Sequence, residues 1–268
     1  MKNILFIGAG SMAEAIIHGL TAQQVIDAAH IFVTNKSNEA KLTQLHEAYG
    51  ISATYELADA LQQADLVVLA MKPKDVKAAL EKIAAHIPAQ TPVLSIVAGY
   101  AMASIEAILG ARPLARIMPN TSAQIALSTT GVAYNAAVND GTKQAITTLL
   151  QSIGTVIEVE EDQLHAVTAI SGSGPAYFYY VVEAMKEAGL TYGLDEQTVK
   201  QLVVETMAGA SEMLKRVDEE PQLLRKKITS PGGTTEAGVK ALEKFNVKEA
   251  FTTCIADAEA KSRELANS

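Results

Sequence analysis

The chain has 268 residues, enough for two domains or one large one, and 49% of them are hydrophobic, so a sizeable core is available. A net charge of −8, the lack of tryptophan and an aromatic content of 5% argue against nucleic-acid binding, which needs a basic face or a base-stacking platform. Cys254 is the only cysteine, which excludes an internal disulfide and a cysteine-based metal site, and we predict no metal.

The start of the chain carries no export signal that we recognise. Residues 1–4 lead directly into a β pattern, and no apolar run approaches the roughly 20 residues that a membrane-spanning helix needs. We therefore expect a cytoplasmic protein without a membrane partner.

Short β runs and helical stretches alternate over the first 160 residues. Alternation of this kind predicts a doubly wound sheet with parallel strands. We assign residues 1–160 to an α/β dinucleotide-binding domain with a mostly parallel, Rossmann-type sheet. The predicted strands are 3–7, 30–34, 51–54, 65–70, 93–97, 114–118, 131–134 and 155–159, and the predicted helices are 12–23, 38–49, 56–63, 76–86, 102–109 and 140–153.

Only helical patterns follow Glu160, so residues 161–268 are predicted to form a second, all-helical domain. The run 176–182, AYFYYVV, is apolar nearly all round a helix, and such a helix is usually buried. Few helices can cover it, so we expect this domain to pair two subunits in a homodimer. The predicted helices are 163–169, 175–188, one capped by Asp195 and running to about Arg216, a short one from Pro221, and a last one from Thr235 or Glu236 to about Leu265.

A glycine turn follows the first predicted strand. It reads Gly8-Ala9-Gly10-Ser11-Met12-Ala13, with the first two glycines of the dinucleotide fingerprint and Ala13 in place of the third. Gly8 permits the tight turn, Gly10 leaves room for a pyrophosphate, and the helix from Ser11 offers its amides to that anion. A plain strand-to-helix turn is the alternative, but the position after the first strand of an alternating α/β chain indicates a nucleotide site.

The end of the second predicted strand bears on the choice of cofactor. NAD sites usually carry an acid there to bind the ribose 2′-hydroxyl, whereas this chain has Asn35, Lys36 and Ser37. A cation and two hydrogen-bonding groups suit a 2′-phosphate, so we predict NADPH in preference to NADH. A solvated turn lysine is the alternative interpretation of Lys36.

Two later strand ends are also expected to face the cofactor, because ligands bind at the carboxyl ends of such strands. The first is Ala70-Met71-Lys72-Pro73, where Lys72 could approach the ribose or the phosphates or could be a surface lysine. The second is Val97-Ala98-Gly99, whose small residues would let a nicotinamide ring lie close to the backbone.

A run near the C-terminal end, Ser230-Pro231-Gly232-Gly233-Thr234-Thr235, precedes a helical stretch. Adjacent glycines let the backbone approach a ligand closely, and amides that open a helix favour an anion. The run therefore suits a small carboxylate. The same residue types also suit a loop that only caps a helix, and the spacing alone does not choose between the two.

Taken together, five segments resemble the pyrroline-5-carboxylate reductases, which catalyse the last step of proline synthesis. They occur in the family's order over nearly the whole chain, and the last two are specific to this family among related dehydrogenases. The resemblance implies NADPH- or NADH-dependent reduction of the cyclic imine 1-pyrroline-5-carboxylate to L-proline, and a dimer interlocked through the helical domain, often assembled further into a ring of dimers. The segments are FIGAGSMA at 6–13, AMKP at 70–73, RIMPNT at 116–121, SGSGPAY at 171–177 and SPGGTT at 230–235.

The resemblance also implies roles for individual residues. Ser230, Gly233 and Thr234 would hold the substrate carboxylate, Thr235 would lie near the imine nitrogen, and Glu161 matches a substrate-contacting glutamate. Ile96, Val97 and Ala98 match a cofactor-contacting segment. This chain departs from the family in having Lys36 where arginine is frequent and Ser122 where proline is common; the first departure loosens the cofactor preference.

The chemistry leaves few candidate proton donors. None of the five histidines lies in a glycine-rich ligand motif, and a contact with a neighbouring helix explains His165 better than catalysis does. Thr235 is a poor acid. We therefore expect the substrate to bind already protonated, or to take a proton from water, while Thr235, our candidate catalytic residue, orients the nitrogen.

Two alternatives of other kinds stay open on these residues. A related 3-hydroxyacid dehydrogenase or cyclic-imine reductase would share the first glycine turn, and a hydroxyacid enzyme would use a lysine on a helix of the second domain. Lys186 and Lys200 are possible positions, but neither lies in a matching motif. The other alternative is a non-catalytic nucleotide sensor, against which the intact run at 230–235 argues.

Overall fold

An eight-stranded sheet organises the first part of the chain in the computed structural model, which describes residues 1–266. The strand order is β3-β2-β1-β4-β5-β6-β7-β8, and every neighbouring pair is parallel except β6 and β7. The predicted doubly wound, mostly parallel sheet is confirmed. The strands are β1 (Ile4–Ile7), β2 (Ile31–Thr34), β3 (Ser52–Ala53), β4 (Leu66–Leu69), β5 (Val93–Ser95), β6 (Leu114–Met118), β7 (Ser128–Tyr134) and β8 (Gly154–Glu158).

Helices cover both faces of this sheet, and the alternation of side chains along β1 shows why the strand is apolar throughout. Ile4 and Phe6 belong to one buried cluster, and Leu5 and Ile7 to another. A central parallel strand needs apolar residues on both faces for this reason. The helices are α1 (Ser11–Ala22), α2 (Glu39–Tyr49), α3 (Leu57–Gln63), α4 (Pro73–Ile83), α5 (Met102–Leu109), α6 (Asp140–Gln151) and α7 (Leu164–Val167), the last continuing as a π-helical turn over Thr168–Gly172.

Five further helices follow: α8 (Gly174–Thr191), α9 (Glu196–Arg216), α10 (Pro221–Lys227), α11 (Thr234–Lys244) and α12 (Val247–Ala266). The predicted cap of α9 is confirmed, since the Asp195 side chain accepts a hydrogen bond from the Thr198 amide at 3.0 Å. Among the described residues, only helices and turns follow β8, as the pattern predicts. No helix within residues 1–266 is long and apolar enough to cross a membrane.

The chain divides into two compact units. The first comprises Met1–Ser173 together with the C-terminal segment that begins at Ala258, and the second comprises Gly174–Asp257. Helix α12 therefore starts in the second unit and ends in the first. The boundary predicted at residue 160 lies before this division and stays a prediction.

The prediction of a single last helix is wrong. The structure has two helices, α11 and α12, separated at Phe245 and Asn246. Asn246 adopts a left-handed conformation with φ of 53°. Asparagine tolerates this conformation better than most residues, so it ends α11 where apolar periodicity alone gives no stop signal.

Smaller differences have local causes. Helix α4 begins three residues earlier than predicted, at Pro73, because proline is favoured in the first turn of a helix. Strand β7 begins at Ser128 rather than at residue 131, because its polar start pairs with Gly154 and Thr155 of β8.

Candidate active site

Hydrogen bonds between strand ends bring the predicted cofactor segments to one edge of the sheet. The amide of Gly8 donates to the carbonyl of Thr34 at 2.8 Å, that of Ala70 to Ile7 at 2.8 Å, and that of Ile96 to Leu69 at 3.0 Å. The loops that follow β2, β1, β4 and β5 are therefore adjacent at the carboxyl ends of their strands. This is where ligands bind in open α/β sheets.

Gly8 makes the turn possible. Its φ is 116°, and a Cβ placed on it would lie 2.3 Å from the carbonyl oxygen of Ala70. No other residue type fits this combination of left-handed backbone and close approach.

Gly10 answers a different requirement. Its φ is −76°, and the nearest protein atom to a Cβ built there is the oxygen of Ala70, at 4.0 Å. The space in front of Gly10 is thus left open by the protein. Gly10 is also the N-cap of α1 and provides no side-chain cap, so the amides of the first turn are not capped by a side chain. An open approach and helix amides fit a pyrophosphate.

A cavity of about 780 Å³ lies against this turn, within the size range of small-molecule sites. Five lysines line it, against one acid, Asp75, among its described lining residues. A basic cavity suits a ligand with several phosphate charges. The predicted cofactor residues that line it are Gly8, Ala9, Gly10, Asn35, Lys36, Ser37, Ala70, Met71 and Lys72.

The remaining predicted cofactor residues lie next to the cavity lining in sequence or follow the adjacent strand. Ser11 and Met12 open α1, and Pro73 opens α4. Ile96, Val97 and Ala98 are not among the lining residues; they follow β5, in a loop where Val97 is buried and Ala98 is exposed.

The β2–α2 loop is built around Asn35. Its side-chain carbonyl accepts from the Asn38 amide at 2.8 Å, and its amide group donates to the Asn38 carbonyl at 2.7 Å. The Tyr55 hydroxyl also donates to Asn35, at 3.2 Å. Asn35 thus shapes the loop that presents Lys36 and Ser37. The Lys36 ammonium is highly exposed and lies 3.5 Å from Asp75, a distance at which an exposed ion pair holds it only weakly.

Lys41 and Tyr55 are two of the cavity-wall residues that sequence patterns did not identify. Lys41 lies in the first turn of α2 and forms an ion pair with Glu14 at 2.7 Å. Tyr55 lies between β3 and α3. Neither belongs to a motif, and only the folding of β3 beside β2 brings Tyr55 to the cavity, so no sequence signal could have found them.

Glu161 binds groups of its own unit. Its Oε1 accepts from the Met102 amide at 2.7 Å, which caps the start of α5, and from Arg116 at 3.1 Å. The Arg116 side chain is 5% exposed, so this is a largely buried guanidinium with a carboxylate partner. Arg116 belongs to the segment RIMPNT at 116–121, so the sequence identified it as part of a motif but did not predict its ion pair with Glu161.

His165 contacts a neighbouring helix. It is buried, and its Nδ1 lies 2.9 Å from the hydroxyl of Ser262 in α12. Burial, followed by the positive charges of Arg263 and Arg116, holds the pKa of His165 below its ordinary value. Its neutral form is therefore favoured in the folded protein.

The run 230–235 lies in the second unit, before and at the start of α11. Gly232 is left-handed with φ of 73°, and the Gly233 amide donates to the Ser230 carbonyl at 3.0 Å. Gly233 is the N-cap of α11 and provides no side-chain cap, and Thr234 and Thr235 are its first two residues. The Glu236 carboxylate turns back and accepts from the Gly232 amide at 2.9 Å, which, with Lys240, holds the pKa of Glu236 below its ordinary value.

Comparison with known proteins extends these observations. A family model described as pyrroline-5-carboxylate reductase dimerisation matches residues 161–265, and one described as NADP oxidoreductase, coenzyme F420-dependent, matches residues 3–99. The glycine turn, the uncapped helix and the basic cavity thus belong to an NAD(P)H-dependent oxidoreductase.

Similarity over the full length identifies the family. The chain is 43% identical to pyrroline-5-carboxylate reductase 2 of Bacillus subtilis, over 99% of this chain and 95% of that protein. It is 41% identical to the pyrroline-5-carboxylate reductase of Staphylococcus aureus, over 98% of both chains. The chain belongs to the pyrroline-5-carboxylate reductase family.

Solved structures agree. The pyrroline-5-carboxylate reductase of Coxiella burnetii superposes with a TM-score of 0.92 at 36% identity, covering 98% of each chain. The pyrroline carboxylate reductase of Plasmodium falciparum, solved with NADP bound, superposes with a TM-score of 0.87 at 28% identity, covering 99% of this chain and 98% of that one.

Proposed function

We propose that this protein reduces 1-pyrroline-5-carboxylate to L-proline by hydride transfer from NADPH, in a cytoplasmic pathway of proline synthesis. The observation that carries the proposal is the full-length match to pyrroline-5-carboxylate reductases, together with a glycine turn and basic cavity that fit a dinucleotide. In the overall reaction the imine carbon gains a hydride, the nitrogen gains a proton, and the reduced cofactor is oxidised.

The residues at the carboxyl edge of the sheet would hold the cofactor. When bound, the reduced nicotinamide supplies the hydride. Gly8 would form the tight turn, Gly10 would leave room for the pyrophosphate, and the amides at Ser11 and Met12 would bind it. Ala9, Ala70, Met71 and Lys72 line the cavity, Pro73 follows them, and all five would lie beside the cofactor. Ile96, Val97 and Ala98 would support the nicotinamide ring.

The basic loop after β2 favours NADPH over NADH. Lys36 and Ser37 offer a cation and a hydroxyl, and Asn35 holds the loop that carries them. Lys41 adds a second ammonium to the same wall of the cavity. The Asp75 carboxylate, 3.5 Å from Lys36, would have to share that ammonium with a 2′-phosphate. Two ammonium groups and a hydroxyl on this part of the lining, against the one carboxylate of Asp75, favour the phosphorylated cofactor.

The run 230–235 would bind the substrate. The uncapped amides at the start of α11 and the hydroxyls of Ser230 and Thr234 suit the carboxylate, and Gly233 lets the substrate approach the backbone. Thr235 would orient the ring nitrogen. Glu161 would contact the substrate while it stays paired with Arg116. The proton on the nitrogen comes with the substrate or from water, because Thr235 is too weak an acid to supply it.

The assembly that we propose is a homodimer through the helical domain, and rings of such dimers as a higher state. The match of residues 161–265 to a dimerisation model supports the homodimer.

The test is the loss of reduced-nicotinamide absorbance with 1-pyrroline-5-carboxylate, run in parallel with NADPH and NADH, with proline identified as the product. We expect rapid oxidation and a higher kcat/KM with NADPH. Folded protein that oxidises neither cofactor would contradict the proposal, and hydroxyacid oxidation would then support the alternative dehydrogenase.

Thr235→Val tests the role of the hydroxyl. We expect kcat to fall by roughly 10- to 100-fold without complete loss, because an orienting bond is removed while hydride transfer remains possible. Thr235→Ser is the matched control and should recover most of the activity. Complete loss in a folded, cofactor-binding Thr235→Val variant would instead show an essential proton donor.

A further inference from the structure

The loop between β5 and α5, residues 96–101, is held at each end by a hydrogen bond. At its start the Val97 amide donates to the buried Ser95 hydroxyl at 3.3 Å, a local bond within the chain. At its end the Met102 amide donates to the Glu161 carboxylate at 2.7 Å. Glu161 is itself held by Arg116, which is buried in β6. The end of the loop is therefore tied to β6, whereas its start is held only by its own strand.

The middle of this loop lies against the last turn of α12. Gly99 is left-handed, with φ of 70°, and a Cβ built there would lie 3.2 Å from the Leu265 carbonyl oxygen and 3.3 Å from the Ala266 Cα. A side chain at position 99 would force the α12 backbone to move by a few tenths of an ångström, so the loop and the last turn of α12 are direct neighbours. The position of the α12 turn thus limits the position of the loop.

Two side-chain contacts tie the last turn of α12 to the segment that follows β8, and a third, within α12, orients the Arg263 side chain. Arg263 makes a two-pronged ion pair with Asp162, at 2.6 and 2.9 Å, and its Nε donates to Glu259 at 2.5 Å. Ser262 hydrogen-bonds to the buried His165. A guanidinium that uses both prongs on one carboxylate has its orientation fixed as well as its distance.

Two consecutive carboxylates therefore restrain the same loop, one directly and one through α12. Glu161 holds the start of α5, and Asp162 holds the end of α12. We propose that Asp162 and Arg263 are positioning residues for the reaction: through the last turn of α12 they set the position of Ile96, Val97 and Ala98 against the nicotinamide. This inference rests on the proposed function, which places those three residues at the cofactor.

The ion pair is exposed, so its effect on stability is expected to be small. The side chains of Arg263 and Asp162 are 44% and 74% exposed, and exposed pairs contribute little to folding. A positioning role therefore predicts a large change in kcat and in NADPH affinity with only a small change in Tm. A merely structural role predicts a large change in Tm with little change in kcat or NADPH affinity.

The test uses the full-length enzyme with Arg263→Met, Asp162→Asn and the double variant. We expect each single variant to lower kcat by roughly 10-fold, because a displacement well under 1 Å at the reacting atoms already costs rate. We expect the Kd for NADPH, measured by fluorescence titration, to rise about threefold because the loop must be ordered on binding. The double variant should be no worse than either single one, since both remove the same contact.

Arg263→Lys and Lys143→Met are the controls. Lysine keeps the charge but not the two-pronged bond, so Arg263→Lys should fall between wild type and Arg263→Met. Lys143, 40% exposed and paired with Glu158 in the first unit, should leave kcat and Kd at wild-type values when replaced by methionine. If wild-type enzyme shows no turnover, the proposed function fails and the NADPH titration alone decides the inference. Unchanged kcat and Kd, or a loss equal to that of Lys143→Met, would overturn it.

Discussion

At the scale of single residues, two glycines that lie two positions apart in one turn answer to different constraints. Gly8 is required by the protein itself, because a Cβ there would meet the Ala70 oxygen at 2.3 Å. At Gly10 the protein leaves the space open, and only a ligand would occupy it. The same substitution at the two positions therefore separates folding from binding.

Gly8→Ala should destabilise the fold by about 1–3 kcal/mol or more, because it combines a left-handed backbone with a steric clash. Gly10→Ala should cost about 1 kcal/mol or less, as expected at an N-cap, but should weaken NADPH binding strongly. Thermal denaturation and NADPH titration of both variants make the comparison. Equal losses of Tm would show that the fold constrains Gly10 as strongly as Gly8. Unchanged NADPH affinity in Gly10→Ala would show that the space before Gly10 is not the pyrophosphate site.

His165 should make stability depend on pH. Its pKa is lower in the folded protein than the ordinary value near 6.5 that applies to the unfolded chain, so the unfolded chain binds more protons in between. The contribution is fully present above about pH 6.5 and is lost as the pH falls below that value toward the folded pKa. Tm measured from pH 8 to pH 5 should therefore fall more in wild type than in His165→Gln. Parallel Tm curves for the two proteins would contradict this.

The sequence predicts which segments belong to the candidate site better than it predicts which side chains contact each other. The segments GAG at 8–10 and NKS at 35–37 predicted a glycine turn and a basic loop at the carboxyl edge of the sheet. Such predictions succeed because the backbone conformation and the charge of a short loop depend on its own residues. The partners of Glu161 could not be predicted, because Met102 and Arg116 are distant in sequence and meet it only in the folded sheet. The use of the Asn35 side chain within its own loop was also missed, since the same amide could equally serve a ligand.

At the scale of elements, periodicity predicted every strand and most helix boundaries within a few residues. Buried strands and one-sided helices have distinct periods, so their positions follow from apolar spacing. The break between α11 and α12 did not follow, because apolar residues occur on both sides of it and no proline or glycine lies at it. A single left-handed residue, Asn246, separates the two helices. Whether a chain breaks at such a residue depends on what the next helix packs against.

Asn246 supplies a prediction at this scale. Asn246→Gly should preserve stability, whereas Asn246→Ala should cost about 1–2 kcal/mol, because alanine is disfavoured at φ of 53°. Urea denaturation at one fixed protein concentration measures both. If alanine is tolerated as well as glycine, the left-handed turn does not limit the stability of this region.

At the scale of the molecule, the second unit lacks a core of its own within the described chain. Val199 and Val203 are its buried large apolar residues, while Phe178, Tyr179 and Tyr180 of α8 are 59–73% exposed. The sequence predicted an apolar helix that needs a cover, and the match to a dimerisation model agrees with that prediction. An apolar surface of this extent on a single chain indicates an interface.

Replacing one of these side chains by a charge should disrupt the pairing. We expect wild type to sediment at twice the chain mass of 28.4 kDa, or at a higher even multiple where dimers form rings. Tyr180→Glu should shift toward the monomer, because a carboxylate in an apolar interface loses its water. Gln144→Glu adds the same charge on the exposed face of α6 and should leave the dimer intact. A Tyr180→Glu dimer as stable as the control would place the interface elsewhere.

The return of α12 to the first unit has a consequence for how the protein is made. Strand β8 ends at Glu158, so a growing chain has its whole sheet long before its last helix exists, and N-terminal parts fold first during synthesis. The contact that faces Gly99 comes from Leu265 and Ala266, which are synthesised long after β8. The nucleotide-binding unit therefore matures in two stages, and its β5–α5 loop gains support only after α12 has been synthesised.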